Sequence, residues 1–359
     1  MKGGEEWQAA AMMIVINCAL GVANALVKKT LDGGLAHMIV ATYRLSISTI
    51  FLAPIAYFYE RKTRPKLTLT ILCQLFFSAL LGATLTQYFF LLGLKHTSAT
   101  LSCAFISMSP AVTFLMALAC RIEKVKVKSK GGSSKILGTL ICISGALFLT
   151  FYKGMALTSN AAHWQAKHHA TTNSHIKAQN WVVGCALLLA GSIFWSSWFL
   201  IQAKINKRYP CQYSSISILS FFGSIQCALL SFINERHMSH WILKGKFDIL
   251  TVIYIGVIGQ GACTVGMSWC IKQKGPVFTS TFTPLMLIFA TIFDFLVLHE
   301  PIYLGSVLGS CFIIIGCYIF LWGKTKEAEQ CATKQAQLPC IEDFDQDSSA
   351  VPRVIPVTP

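Results

Sequence analysis

Ten long apolar runs, each bounded by polar or basic residues, set the pattern of this chain. They cover about 9–27, 36–58, 71–94, 98–120, 136–152, 182–203, 213–234, 248–271, 278–298 and 301–323. An α-helix needs roughly 20 apolar residues to cross the hydrocarbon core, so the pattern predicts an all-α integral membrane protein with ten transmembrane helices. Helices are the expected form because a bilayer offers no water to unpaired backbone groups. The strands of a membrane barrel would be about ten residues long, half the length of these runs. The first run does not read as a cleaved signal. It follows Glu5 and Glu6 and ends at Lys28-Lys29 without a small-residue cleavage site.

The chain also repeats itself. Trp7 and Trp181 open the first and sixth runs, 174 residues apart, and Pro110 and Pro284 keep the same offset. Glu60-Arg61 and Glu235-Arg236 close the second and seventh runs at an offset of 175, and Lys95 and Lys272 follow at 177. Gly138 with Gly145, and Gly309 with Gly316, share a seven-residue spacing. Each unit has five spans, an odd number, so the second copy enters from the opposite side. Two inverted five-helix repeats are a recurring plan of secondary transporters, with the solute site near the midplane between them.

Composition agrees. The chain is 54% hydrophobic and 13% charged, with a mean hydropathy of +0.58, where a soluble chain carries about 25% charge. That excludes an aqueous enzyme domain. The net charge of +15 does not point to nucleic acid, which calls for a polar chain with a basic face. Twenty of the 30 Lys and Arg fall at the N-terminus, in the even-numbered loops and in the tail, and nine in the odd-numbered loops. The positive-inside rule then puts both termini in the cytoplasm. The domain plan is a cytoplasmic 1–8, a first repeat at 9–152, a non-cytoplasmic loop at 153–181, a second repeat at 182–323 and a disordered cytoplasmic tail at 324–359. Of 14 Cys, 11 lie in the runs and none in the long outer loop, an arrangement that argues against disulfides.

Several stretches resemble the plant drug/metabolite transporter superfamily, in its EamA-type, nodulin-21-like branch that includes Walls-Are-Thin-related proteins and UMAMIT amino-acid transporters. They are Tyr43-Arg44, Gly93-Leu94-Lys95-His96-Thr97-Ser98, Gln202-Ala203-Lys204 with Tyr209-Pro210, and Gly223 with Gln226. Gly275-Pro276-Val277-Phe278 leading to Pro284-Leu285, and Glu300 with Leu304-Gly305, complete the set. The resemblance implies two EamA repeats and transport of small organic metabolites, amino acids first, with auxin or another aromatic weak acid as the alternative. The plasma membrane is expected ahead of the vacuolar membrane. No cofactor or metal is expected. The expected partners are a small-molecule solute and membrane lipid, with a homo-oligomer also allowed and no nucleic acid.

Candidate cavity residues are the polar and helix-breaking groups inside the runs. Arg44 lies about 12 Å from the outer edge of the second run, and Asp294 about 6 Å inside the ninth. A charge at such depth calls for a cavity or a partner. Arg44 therefore holds a solute carboxylate or ties to helix carbonyls or a neighbouring acid, and the similar depths put Asp294 within its reach. Asn17, Gly21, Asn24 and Lys28 share one face of the first helix, lining a cavity or bonding a neighbour. Gln87, Gln226, Gln260 and Thr264 offer the same choice. Trp195 and Trp198 lie mid-span, walling a solute or packing, whereas Trp7, Trp181, Trp241 and Trp322 sit at span ends as interface anchors. Pro110 and Pro284 interrupt two related helices, either freeing carbonyls near the site or forming ordinary kinks. His163, His168, His169 and His175 read as part of a solvated outer loop. Rival classes fare worse. No Walker-type loop marks an ATP-driven pump, the runs hold no nucleophile–base set for an intramembrane enzyme, and no filter or charge ring marks a channel.

Overall fold

The computed structural model describes residues 2–32, 35–62, 64–97, 102, 105–106, 108–120, 130–152, 178–234, 241, 243, 245–298 and 304–337. All regular structure among them is helical. The helices are α1 (Lys2–Asp32), α2 (His37–Glu60), α3 (Leu69–Ala79), α4 (Thr86–His96), α5 (Ser109–Ala119), α6 (Lys130–Phe151), α7 (Ala178–Arg208), α8 (Gln212–Asn234), α9 (Lys246–Tyr254), α10 (Cys263–Lys274), α11 (Pro276–Thr281), α12 (Leu285–Leu298) and α13 (Leu304–Gln337). A π-helical segment, Leu80–Leu85, joins α3 to α4, and another, Ile255–Ala262, joins α9 to α10, so each pair forms one continuous rod.

Nine stretches among the described residues are long and apolar enough to cross a membrane. Within the predicted fourth span, 98–120, Ser109–Ala119 forms a continuous apolar helix, Ser102, Phe105 and Ile106 are helical, and 98–101, 103–104 and 107 lie outside the described residues. Pro110 stands in the first turn of α5, where its missing N–H costs nothing. Several helices run past their apolar runs, because polar residues at the interface still satisfy their backbone within the helix. The expected tail shows this most: α13 continues to Gln337, so its first turns are helical rather than disordered. Residues 338–359 and the loop with His163, His168, His169 and His175 lie outside the described residues. Large apolar side chains such as Phe58, Leu250 and Tyr318 are exposed along the helices, as a lipid-facing surface requires and an aqueous one does not tolerate.

Two antiparallel helix pairs anchor the packing. α2 lies antiparallel against α8: Thr42 faces Ser231 (3.5 Å) and Ser48 faces Ser220 (3.2 Å). At the far end of α2, Glu60 accepts bonds from the amides of Tyr213 (3.0 Å) and Ser214 (2.7 Å), capping the N-terminus of α8. α6 and α13 also run antiparallel, with Gly131, Gly138 and Gly145 opposite Gly323, Gly316 and Gly309. Lys135 pairs with Glu327 at the end of that interface. The other contacts exchange partners between counterparts: α1 packs on α10 and α12, whereas α7 packs on α4 and α5.

Candidate functional site

The site begins with two residues seven apart on α2. His37 opens the helix and Arg44 follows two turns later on the same face. Together with Gln87, one residue into α4, they line a cavity of about 20 Å³ whose apolar walls are Val27, Val40, Ala41 and Ile255. The second π segment borders it through Ile255, and Gln87 lies two residues beyond the first. Such segments shift the register of a helix by one residue and recur at functional sites. The second sits against α2 at the level of Arg44. A Cβ at Gly256 would come within 2.7 Å of Ile47 Cβ and 3.2 Å of the Arg44 carbonyl. The first is tied to α8. Thr84 donates to Gln226 Oε1 (2.9 Å), Gln226 Nε2 donates to the Phe76 carbonyl (3.4 Å), and the Cys227 thiol points at Thr84 (3.7 Å).

The polar groups of this cavity are not used up by the protein. Arg44 Nε and His37 Nδ1 are buried without a hydrogen-bond partner. Among the described residues, no ion pair or hydrogen bond reaches the side chains of Arg44, His37 or Gln87. Buried polar groups in native proteins are nearly always paired, so a cluster of exceptions requires an explanation.

A larger cavity of about 280 Å³ opens at the other end of the bundle, lined by Asn206, Lys207, Lys272, Lys274 and Pro276 among others. Lys272 donates to the Pro210 carbonyl there (3.4 Å), near the α8 terminus that Glu60 caps. Along α2 this end is about 24 Å from Arg44 at 1.5 Å per residue. Above it lies a buried amide cluster. Gln202 donates to Asn206 (3.2 Å), Ser215 (3.4 Å) and Ser268 (3.0 Å), and Asn206 donates to the Ser268 carbonyl (2.8 Å). Burial pushes the phenol of nearby Tyr209 above its ordinary pKa, keeping it neutral.

The model of the EamA-like transporter family matches residues 7–151 and again residues 182–322. The chain belongs to the EamA-like transporter family. Among known proteins, this EamA-like transporter is 60% identical over 344 residues to a WAT1-related protein of Arabidopsis thaliana, covering 95% of this chain and 92% of the other. A second WAT1-related protein of that plant is 52% identical over 360 residues, covering 99% and 98%. The Arabidopsis protein WALLS ARE THIN 1 is 36% identical over 341 residues, covering 93% and 87%. A solved crystal structure, 13% identical, superposes with a TM-score of 0.63 over 88% of this chain and 96% of its own, a likeness of fold. The transporter is a multi-pass membrane protein.

Of the residues singled out from sequence, the fold brings Arg44 and Gln87 together in one cavity. Gln226 stands nearby as a tie to the first π segment, and Gln260 lies within the second, one turn before Thr264. Asn17 is buried and donates to its own helix at Met13 (2.7 Å). Gly21 packs against Phe289 of α12 and Asn24 is exposed, so the stripe on α1 is not one surface. Trp195 and Trp198 stack at 5.4 Å, and Trp198 fills the space left by the missing side chain of Gly82. Neither lines the two cavities described. Pro110 opens α5 and Pro284 falls in the turn between α11 and α12, so both mark helix breaks. At the first break, Ser192 donates to the Phe105 carbonyl (2.9 Å) and Ser196 to the Ser109 carbonyl (3.4 Å). Asp294 is carried on α12, and its side chain lies outside the described residues. His37 was not legible as a site residue, although its seven-residue spacing from Arg44 is a signal in hindsight. Ser192 and Ser196 carried none, since serine is ordinary in membrane helices.

Proposed function

We propose that this EamA-like transporter carries a small organic metabolite, amino acids first, by alternating access between two inverted five-helix repeats with ten crossings. Auxin or another aromatic weak acid is the second reading, favoured by the unpaired cation at Arg44. The observation that carries the proposal is the exchange of partners, in which α1 packs on α10 and α12 while α7 packs on α4 and α5. That reciprocity is what an inverted duplication produces, and it leaves a seam between halves in which a solute is held. The π segments, whose first residues are 175 apart, and the broken helices at Pro110 and Pro284 support the same reading. The two cavities lie toward opposite ends of the bundle, as alternating access needs. In this orientation the lysine-lined cavity and both termini face the cytosol, the loop 153–181 faces out, and the membrane is the plasma membrane. The partners are the solute and anionic lipid around the basic loops.

The test is flux in liposomes holding the purified protein, with radiolabelled amino acids and an aromatic weak acid, with and without a proton gradient. Saturable flux, competed by unlabelled solute, is expected. A leak that rises linearly with concentration overturns the carrier assignment, and a chemically altered product would mark an enzyme. A tag within 153–181 should be reached by an impermeant reagent from outside the cell. Labelling of that loop only after permeabilisation overturns the orientation.

A further inference from the structure

We infer that the cavity of Arg44, His37 and Gln87 is the subsite that grips the carboxylate of the transported solute. The inference deepens the transport reading and rests on it for the route by which the solute arrives. Three hydrogen-bonding side chains from two helices converge on one cavity, and none is satisfied by the protein among the described residues. One is a guanidinium, a cation that does not shed its charge and whose planar fork matches two carboxylate oxygens. A trapped water would answer the orphaned nitrogens but leave the charge uncompensated in a low-dielectric span. A carboxylate answers both.

Size agrees with that assignment. A water needs roughly 10–15 Å³ of such space, and the cavity holds about 20 Å³. By that measure it holds one to two water-sized groups, room for carboxylate oxygens and not for the body of a metabolite. The remaining wall is aliphatic, from Val27, Val40 and Ile255, as in sites where a few polar groups fix one end of an otherwise apolar ligand. The wall at Ile255 belongs to a π segment, a place where a helix changes register locally. Room for the solute body comes from there.

The experiment measures the melting midpoint of the purified full-length protein in detergent micelles. The probes are benzoate and L-phenylalanine, each compared with its amide at matched ionic strength. Both carboxylates should raise the midpoint by a few degrees in a saturable way and neither amide should. Arg44→Gln should abolish the response, and Arg44→Lys should keep part of it, because an ammonium supplies charge without the fork. If Arg44→Gln does not fold, His37→Gln and Gln87→Ala stand in, each raising the half-maximal benzoate concentration about 3- to 10-fold. No shift with either carboxylate, equal shifts with the amides, or an unchanged response in the variants overturns the inference. So does recovery of the Arg44→Gln protein by Asp294→Asn, which would mark an internal ion pair. Saturable flux that ignores the carboxylate removes this site and leaves the carrier standing; absence of saturable flux removes the carrier.

Discussion

The α6–α13 interface holds its two helices at backbone contact, and a single methyl should force them apart. A Cβ at Gly138 would lie 2.5 Å from the Phe320 amide nitrogen and 2.7 Å from the Gly316 carbonyl oxygen. A Cβ at Gly316 would lie 2.5 Å from the Cys142 nitrogen and 2.8 Å from the Gly138 oxygen. Comfortable heavy-atom separations are about 3.5–4.0 Å, so the axes must part by about 1 Å, and such a gap forfeits roughly a quarter to a half of each contact's dispersion energy. Overpacking of this kind costs about 1–3 kcal/mol, set against about 0.5–1 kcal/mol gained when alanine replaces a helical glycine. Gly138→Ala should therefore destabilise by about 1–2 kcal/mol, a fall of a few degrees in Tm. Adding Gly316→Ala should cost less than its single effect, because the helices are already parted. Gly259 is the control. A Cβ there meets nothing closer than Ala23 at 3.7 Å, so Gly259→Ala should melt no lower than the wild type. The assay is thermal unfolding in detergent followed by a thiol-reactive dye. Cys142 and Cys317 are buried in this interface, 3.6 Å apart, and become reactive when it opens. A Gly138→Ala protein that melts at or above the wild type, or a Gly259→Ala protein that falls as far, would refute the reasoning.

Two further sets of substitutions probe contacts between helices. Glu60→Ala leaves the Tyr213 and Ser214 amides without their acceptor and should cost about 1–2 kcal/mol, with Glu60→Gln milder because one oxygen still accepts; wild-type melting of the alanine variant would exclude the cap. The pair Ser192→Ala and Ser196→Ala removes both donors at the break before α5 and should lower Tm by a few degrees, whereas Ser197→Ala, whose hydroxyl bonds within its own helix to Ile193, should not.

Hydropathy made most of the helices legible, because a lipid-facing rod must be apolar over its whole length whatever it packs against. It located Arg44 for the same reason: a guanidinium inside an apolar run has no ordinary surface role. It failed where a feature depends on a neighbour. His37 stands at a span end, where polar residues are common, and only the fold turns it toward Arg44. The π segments need one extra residue per turn, and composition carries no mark of that beyond Gly82 in one and Gly256, Gly259 and Gly261 in the other. The seven-residue glycine spacing is visible at Gly138 and Gly145. Gly131 and Gly323 fall just outside or at the ends of the apolar runs, and their opposition is a property of two helices together. The fourth span reads as one run across 98–120, and the turn at Met108 that precedes α5 carries no hydropathy signal, since its neighbours Phe105, Ile106 and Val112 are apolar.

The helix breaks at Pro110 and Pro284 are held in different ways. At the first, carbonyls of Phe105 and Ser109 are taken up by Ser192 and Ser196 of α7. The residues at the same offset on α1 are Cys18 and Val22, and they offer no comparable pair of hydroxyl donors. The second break is held from within: Thr279 donates to Gly275 (3.2 Å), Ser280 to Val277 (3.0 Å) and Thr281 to Val277 (2.8 Å). α1 meets α12 beyond that break through shape, with Gly21 against Phe289 and Ala290. Sliding α7 past α5 therefore breaks two directional bonds, each worth about 0.5–1.5 kcal/mol. α1 also reaches the Arg44 cavity, where Val27, in its last turns, forms part of the wall, so a shift of α1 against α12 moves that wall directly.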